Sequence, residues 1–296
     1  VLDRLIASSL PLVPRPIVYR VARRYVAGVA LEDAIATNRA LAAAGLRSTT
    51  TLLGEHVHDA AQVEAVVREF FRLLEALERT GLEGGISVKP THVGLSIDAE
   101  LCRASLERRA AEAARRGRFL RIDMEDHGTT DVTLGIHREL RQRHDNIGVV
   151  VQAYLRRTLD DIESLPPGSS VRLCKGIYLE PAPLVVGGYE EVRANYLHAL
   201  DRLLARGARV ALATHDEWLI RESIARIERS GGAGGAWEIQ MLLGVAPLLR
   251  QRLTAEGRRI RVYVPYGPEW YDYSLRRLRE NPRIAMHVVR AMFGRS

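Results

Sequence analysis

The sequence predicts a (β/α)8 barrel, a TIM barrel, with N-terminal helices ahead of it and a C-terminal helix over its mouth. Three observations carry this. From about residue 48, short apolar runs recur eight times. Each is followed by a longer charged stretch with helical periodicity. Several runs, such as Ile147–Gly148–Val149–Val150–Val151, are continuously apolar, as expected of parallel strands covered on both faces. Eight consecutive βα units favour a closed barrel over an open sheet. A chain of 296 residues has room for one such domain of about 250 residues. The barrel is expected over 47–296, and 1–46 as a helical segment.

Taken in order, the strands are predicted at 48–53, 86–89, 119–125, 147–153, 170–175, 208–214, 237–242 and 260–264. Between them, 61–79 places Val63, Val66, Val67, Phe70, Phe71, Leu74 and Leu77 on one stripe, and 189–206 does the same with Val192, Tyr196, Leu200 and Leu203. Gly81, Gly117 and Gly207 follow predicted helices, where a C-cap needs positive φ. The glycine-rich stretch 230–235 reads as a turn inside the fold. Ahead of the barrel, 19–36 reads as an amphipathic helix bearing Arg20, Arg23 and Arg24. It is expected to cap the barrel, with contact to a membrane surface as the sharper alternative.

Composition excludes several classes. Hydrophobic content of 47% and charge of 27% are those of a globular protein, and no apolar stretch is long enough to span a bilayer. No signal peptide is visible. Two cysteines, Cys102 and Cys174, allow no disulfide framework and read as small buried hydrophobes, compatible with a reducing compartment. The net charge of +7 comes mostly from arginines interleaved with glutamates, as in 106–118, the look of a solvated helix face. No basic tract with interleaved aromatics suggests nucleic acid.

In this fold, chemistry sits at the carboxyl ends of the strands. Those ends carry Glu55, His56 and His58; Lys89; Asp123, Met124 and Glu125; Gln152 and Tyr154; Arg172, Cys174, Lys175, Gly176 and Tyr178; Thr214, His215 and Asp216; Glu238 and Gln240; and Tyr263. Such groups are rarely buried without partners. They can neutralise one another as a network, or bind a ligand. After the last strand, Tyr273, Arg276, Arg277 and Glu280 share one helical face. Arginine's planar fork suits bidentate carboxylate binding, which points to a small carboxylate substrate.

The strings SVKP (87–90), RIDMED (121–126), VQAYLRRT (151–158), RLCKGIY (172–178), ATHD (213–216), EIQMLLG (238–244) and RVYVPYG with WYDYSLRRL (261–278) fall in order on strands two to eight and their flanks. Together they resemble the proline dehydrogenase family over about 48–285. The resemblance implies a distorted barrel holding FAD non-covalently. It implies oxidation of L-proline to Δ1-pyrroline-5-carboxylate, with electrons passed to a membrane quinone. Asp123 and Arg172 would be catalytic, Asp123 organising the site through Lys89 or Arg276, and Arg172 standing near flavin N5. Arg276 and Arg277, braced by Glu280, would hold the proline carboxylate, with Lys89 on the opposite wall. Tyr178, Tyr263 and Tyr273 would enclose the ring. Met124, Gln152, Arg172, Lys175, Gly176, Ile177, Thr214 and His215 would contact FAD, and no metal is implied. Cys174, Ile177, Trp237, Ile239 and Asp272 depart from the usual family residues without being ligand side chains. The expected location is the cytoplasm, with peripheral contact at the inner face of the cell membrane. The next enzyme, a pyrroline-5-carboxylate dehydrogenase, is expected as a separate protein.

Three rivals stand beside this reading. His56–Val57–His58 with His215 suggests a zinc hydrolase, although no aspartate ends strand eight. Lys89 or Lys175 suggests a Schiff-base lyase. A basic scaffold or nucleic-acid binder leaves the polar strand ends unexplained.

Overall fold

Parallel strands buried on both faces need helices outside and a filled interior, and the computed structural model has both. It describes residues 18–19, 22–231, 237–271 and 273–275. Eight strands close in sequence order: β1 (Arg47–Leu52), β2 (Gly84–Val88), β3 (Leu120–Ile122), β4 (Ile147–Gln152), β5 (Ser170–Cys174), β6 (Arg209–Ala213), β7 (Trp237–Leu242) and β8 (Ile260–Tyr266). All neighbours are parallel, and β8 returns to β1 with Arg47 opposite Arg261 and Leu52 opposite Tyr266. The helices are α1 (Leu31–Ala43), α2 (Ala60–Arg79), α3 (Ala99–Arg115), α4 (His127–Arg141), α5 (Thr158–Glu163), α6 (Tyr189–Ala205), α7 (Glu217–Arg229) and α8 (Pro247–Ala255). Short 3-10 turns lie at Pro90–Val93 and Ala182–Leu184. Among the described residues, no helix is long and apolar enough to cross a membrane.

All eight predicted strands are present, β7 with the expected ends and the others with shifted ones. The largest difference is β3, which stops at Ile122. Asp123 still donates its backbone N–H to Val88 at 2.9 Å, but the ladder ends there. Asp123 and Glu125 therefore lie beyond the regular strand, at the mouth, with Met124 between them.

The core is the shell between strands and helices. On β4, Ile147, Val149 and Val151 are almost wholly buried, and Val149 and Val151 pack in one cluster with Leu134, Tyr196, Leu200 and Leu212. Val63, Val67, Phe70, Leu74 and Leu77 of α2 pack on Ile86, Val88 and Leu120. Three helices that follow strands are capped by aspartates. Asp59, Asp98 and Asp216 accept from the N–H groups of Gln62, Leu101 and Leu219, satisfying a backbone donor at each helix start.

Two expectations are corrected. The helix expected over 19–36 is broken. Val26–Ala30 are not helical, and the Asp33 carboxylate accepts from the N–H groups of Val29 and Ala30 at 3.1 and 3.0 Å, so α1 starts at Leu31. The break lets Ala27 donate to the Pro265 carbonyl at 2.8 Å and Gly267 donate to that of Gly28 at 3.0 Å, tying this segment to the end of β8. The second correction is Arg109, expected on a solvated face but fully buried. It lies over the Phe70 ring at 5.2 Å and donates to the Ser105 carbonyl at 2.8 Å. Burial draws its pKa down to about 9. Cys102 is buried as expected, while Cys174 is half-buried. The turn expected at 230–235 and the helix face bearing Arg276, Arg277 and Glu280 lie largely or wholly outside the described residues.

Inside the barrel, away from the mouth, Arg121 fills the space that a side chain at 148 would need. Its Nη1 donates to the Val149 and Ser170 carbonyls at 2.9 and 2.7 Å, and its Nη2 to Ser170 Oγ at 2.9 Å. A Cβ at Gly148 would stand 2.4 Å from Arg121 Nη1 and 2.5 Å from the Ser170 carbonyl oxygen. Gly148→Ala is therefore expected to lower stability by about 1–3 kcal/mol in chemical denaturation, the usual cost of overpacking. An unchanged midpoint would show that the strands can move apart there.

Candidate active site

The carboxyl ends of β2, β3, β5, β7 and β8 deliver Ser87, Asp123, Arg172, Gln240 and Tyr263 into one hydrogen-bonded frame. Asp123 Oδ1 accepts from Arg172 Nη1 and from Ser87 Oγ, each at 2.6 Å. Its Oδ2 accepts from the Tyr263 hydroxyl at 3.0 Å. Arg172 Nε donates to Gln240 Oε1 at 2.6 Å, and the guanidinium lies 5.3 Å from the centre of the Tyr263 ring. Asp123 and Arg172 have side chains only 10% exposed, so the pair is shielded from screening by water and salt. Nη2 of Arg172 makes no hydrogen bond to any described residue, which leaves it as the spare donor of this frame.

A second group stands at the ends of β1 and β2. Lys89 Nζ pairs with Glu55 at 3.0 Å and donates to the Tyr178 hydroxyl at 3.3 Å. Burial works against its charge, but Tyr178, Glu55, Tyr263 and Glu125 together hold its pKa well above the ordinary lysine value. Burial pushes the Tyr178 phenol up to about 12 against the pull of Lys89. Both groups keep their protons at neutral pH, so this corner presents a cation and a hydroxyl. Glu125 lies behind it, accepting from Thr91 N–H and Oγ1 at 2.8 and 2.6 Å. Of the two links expected for Asp123, the one to Lys89 is not formed, and Arg276 lies outside the described residues. Asp123 is used by Arg172, Ser87 and Tyr263, and Lys89 turns to Glu55.

The ends of β4, β5 and β6 make the third wall. Gln152 Nε2 donates to the Glu125 carbonyl at 2.8 Å, and Met124 is buried nearby in the cluster under β4 and β5. Gly176 has φ of +117°, and a Cβ there would fall 2.0 Å from the Tyr154 ring, so only glycine lets this backbone pass. The residues after it, Ile177 and Leu179, are exposed, Leu179 completely so. Lys175 reaches Asp216 at 3.4 Å and lies 4.7 Å from the Tyr189 ring centre. Asp216 is held chiefly by Arg193, through bonds of 2.9 and 2.8 Å, and by the Tyr189 hydroxyl at 2.5 Å. Burial alone would raise its pKa, yet these donors and Lys175 hold it well below the ordinary carboxylate range. Thr214 Oγ1 accepts from the Asp216 N–H at 3.2 Å.

His215 is half-buried and is engaged otherwise than as a metal ligand. Its Nε2 accepts from the Leu242 N–H at 3.0 Å, which places the ring proton on Nδ1. His56 lies within 3.3 Å of Ser96 Oγ, while His58 is exposed. Of the three histidines of the zinc alternative, His215 and His56 thus have separate partners and His58 faces solvent. Among the described residues, no three His, Cys, Asp or Glu side chains gather as metal ligands. Tyr273 is buried with Val26 and Leu53, and its hydroxyl acts electrostatically on Tyr263. Arg276, Arg277 and Glu280 lie outside the described residues.

Sequence reasoning gave no role to Glu55, Ser87, Asp216, Glu238 or Gln240. Two signals were present. A polar residue inside an apolar strand run needs a partner across the barrel, and an aspartate directly before a helical run is an N-cap.

Burial and the neighbouring Lys175 draw the His215 pKa from its ordinary value of 6.5 to about 4. The folded state favours the neutral ring, so its stabilising contribution is complete above pH 6.5 and is lost as pH falls through 4. His215→Asn can accept the same N–H without titrating. It is expected to flatten stability against pH in that window by about 2 kcal/mol, read from denaturation midpoints. Parallel curves for both proteins would contradict this.

Comparison with known proteins gives a consistent picture. A sequence model of the proline dehydrogenase family matches residues 34–290. The chain is 37% identical over 281 residues to proline dehydrogenase of Deinococcus radiodurans, covering 93% of this chain and 90% of that one. It is 32% identical over 272 residues to proline dehydrogenase 1 of Bacillus subtilis, covering 92% and 90%. Among solved structures, proline utilization A from Bdellovibrio bacteriovorus, inactivated by N-propargylglycine, superposes with a TM-score of 0.81 at 22% identity, covering 87% of this chain. Proline utilization A from Corynebacterium freiburgense gives 0.75 at 23% identity, covering 99%. This chain spans 32% and 34% of those two longer proteins, and the likeness to them is one of fold.

Proposed function

The chain belongs to the proline dehydrogenase family, enzymes of proline catabolism, and on that premise we propose that it oxidises L-proline to Δ1-pyrroline-5-carboxylate with non-covalently bound FAD and a membrane quinone as final acceptor. The observation that carries this reading is the framed Arg172. It is fixed on Nε and Nη1 by Gln240, Asp123 and Ser87, and it keeps Nη2 for a ligand. A cation held this rigidly costs little reorganisation when charge develops beside it.

The residues present fit a flavin. The Gly176 backbone passes against the Tyr154 ring and carries the loop along the mouth, and Lys175 beside it would supply a cation for a pyrophosphate. The exposed apolar side chains of Ile177 and Leu179 would be covered by a planar ring or its substituents. Met124, Gln152, Thr214 and His215 line the adjoining strand ends, His215 by positioning the Leu242 backbone. When bound, the flavin takes up the hydride that proline gives in the reaction.

The chain's own part is binding and orientation. Arg276 and Arg277, braced by Glu280, would fork the proline carboxylate, with the Lys89 ammonium on the opposite wall. Tyr178, Tyr263 and Tyr273 would enclose the ring and exclude water. Asp123 is a positioning group whose contacts aim both Arg172 and Tyr263. The reacting carbon is thereby held against its acceptor, which is most of what a protein adds to cofactor chemistry. The product is a substrate for a pyrroline-5-carboxylate dehydrogenase. The protein works in the cytoplasm, with peripheral contact at the inner face of the cell membrane.

Purified protein is expected to be yellow and to reduce an artificial electron acceptor when L-proline is added. A colourless protein that FAD cannot reconstitute would sink the proposal. Arg276→Met or Arg277→Met is expected to weaken proline binding by about 1.5–3 kcal/mol with FAD retention unchanged, the worth of a charge-assisted contact. Titration of proline against flavin absorbance measures both at once. Equal loss of proline and flavin would mark the arginines as structural.

A further inference from the structure

Glu238 and Gln240 sit two residues apart on β7, so both side chains enter the barrel. With Arg261 they form a line running from the closed end of the barrel to the mouth. Arg261 forks Glu238, Nε to Oε1 at 2.6 Å and Nη2 to Oε2 at 3.0 Å, and its Nη1 donates to the Ser48 carbonyl at 2.8 Å. Glu238 Oε1 also accepts from Gln240 Nε2 at 2.7 Å. Gln240 Oε1 then accepts from Arg172 Nε at 2.6 Å.

The two ends of a carboxamide are nearly the same size, so packing alone does not decide which one faces Arg172. An ionised carboxylate decides it, because it only accepts. Burial would favour protonation of Glu238, but the Arg261 fork holds its pKa below the ordinary value, so the charge is present at neutral pH. Glu238 therefore takes the amide NH2 and presents the amide oxygen to Arg172. A reversed amide would set NH2 against the Arg172 Nε–H, donor against donor, and the guanidinium would pivot about Asp123.

We propose that Glu238, clamped by Arg261, is a positioning residue for the reaction, aiming Arg172 through the amide of Gln240. This rests on the reading of Arg172 as the cation beside the flavin. Glu238 touches neither substrate nor cofactor in this role.

The test uses flavin-loaded protein carrying Glu238→Gln, which keeps the volume and removes the acceptor-only end. The single-turnover rate of flavin bleaching by proline should fall about tenfold. Flavin content and the Kd of a non-oxidisable saturated five-membered-ring carboxylate should stay within about twofold of wild type, while the melting temperature falls because Arg261 loses its carboxylate partner. Gln240→Met cuts the same line, so the double variant should be no slower than Gln240→Met alone. A crystal structure of Glu238→Gln should show Arg172 Nε off Gln240 Oε1. A wild-type rate in Glu238→Gln overturns the proposal, as do additive losses in the double variant. Parallel falls in rate, analogue binding and flavin content mark a merely structural role and also overturn it. Should Glu238→Gln not fold, Arg261→Lys keeps the charge and drops the fork, and a wild-type rate there is equally fatal. Failure of the underlying reading looks different: proline would not bleach the wild-type flavin, or Arg172→Lys would bleach at the wild-type rate, and the proposal would fall with it.

Discussion

A charged barrel interior must neutralise itself, and at the mouth the contact that does so is the Asp123–Arg172 pair at 2.6 Å. Removing one member of such a buried pair leaves the other uncompensated, typically at about 3–5 kcal/mol. Ser87 and Tyr263 complete the carboxylate, and Gln240 completes the guanidinium. Five strands thus meet at one ion pair. The mouth is built outward from it, with Lys89, Glu55 and Tyr178 on one side and the Gly176 loop on the other. The barrel's cations divide accordingly. Arg121 and Arg261 are used up inside the fold by backbone carbonyls, Ser170 Oγ and Glu238, whereas Arg172 Nη2 makes no hydrogen bond to any described residue.

The architecture was legible because parallel strands buried on both faces leave apolar runs that no surface segment shares. Strand ends were less so. Nothing local in Arg121–Ile122–Asp123 says that the ladder stops one residue before the carboxylate. The break at Val26–Ala30 depends on the Asp33 side chain folding back to cap α1 and on β8 accepting the segment, which is tertiary information. Arg109 was misread although its signal was present. It stands with Leu106, Ala110 and Ala113 at i, i+3, i+4 and i+7, on the buried stripe, and its glutamate neighbours drew attention to the other face.

The candidate site was legible as a set of residue types at strand ends, and not as a set of partners. Strand order says which ends converge. It does not say that Asp123 reaches across from β3 to Arg172 on β5 while Lys89 turns back to Glu55 on the β1 side. Those choices follow from side-chain length and from the donors already engaged at each carboxylate. The arginine pair at 276–277 is carried by its motif, since it lies beyond the described residues; its role joins the proposal through Tyr273, the last member of its helical face that the structure places.

The proposed chemistry requires Arg172 to be a fixed cation whose Nη2, which makes no hydrogen bond to any described residue, faces the flavin. A crystal structure of the FAD-loaded protein measures that directly. The Asp123 and Gln240 contacts should be kept within hydrogen-bond distance, with Arg172 Nη2 facing the edge of the isoalloxazine ring. A flavin bound elsewhere, or an Arg172 that has left Asp123 to reach it, would contradict the account.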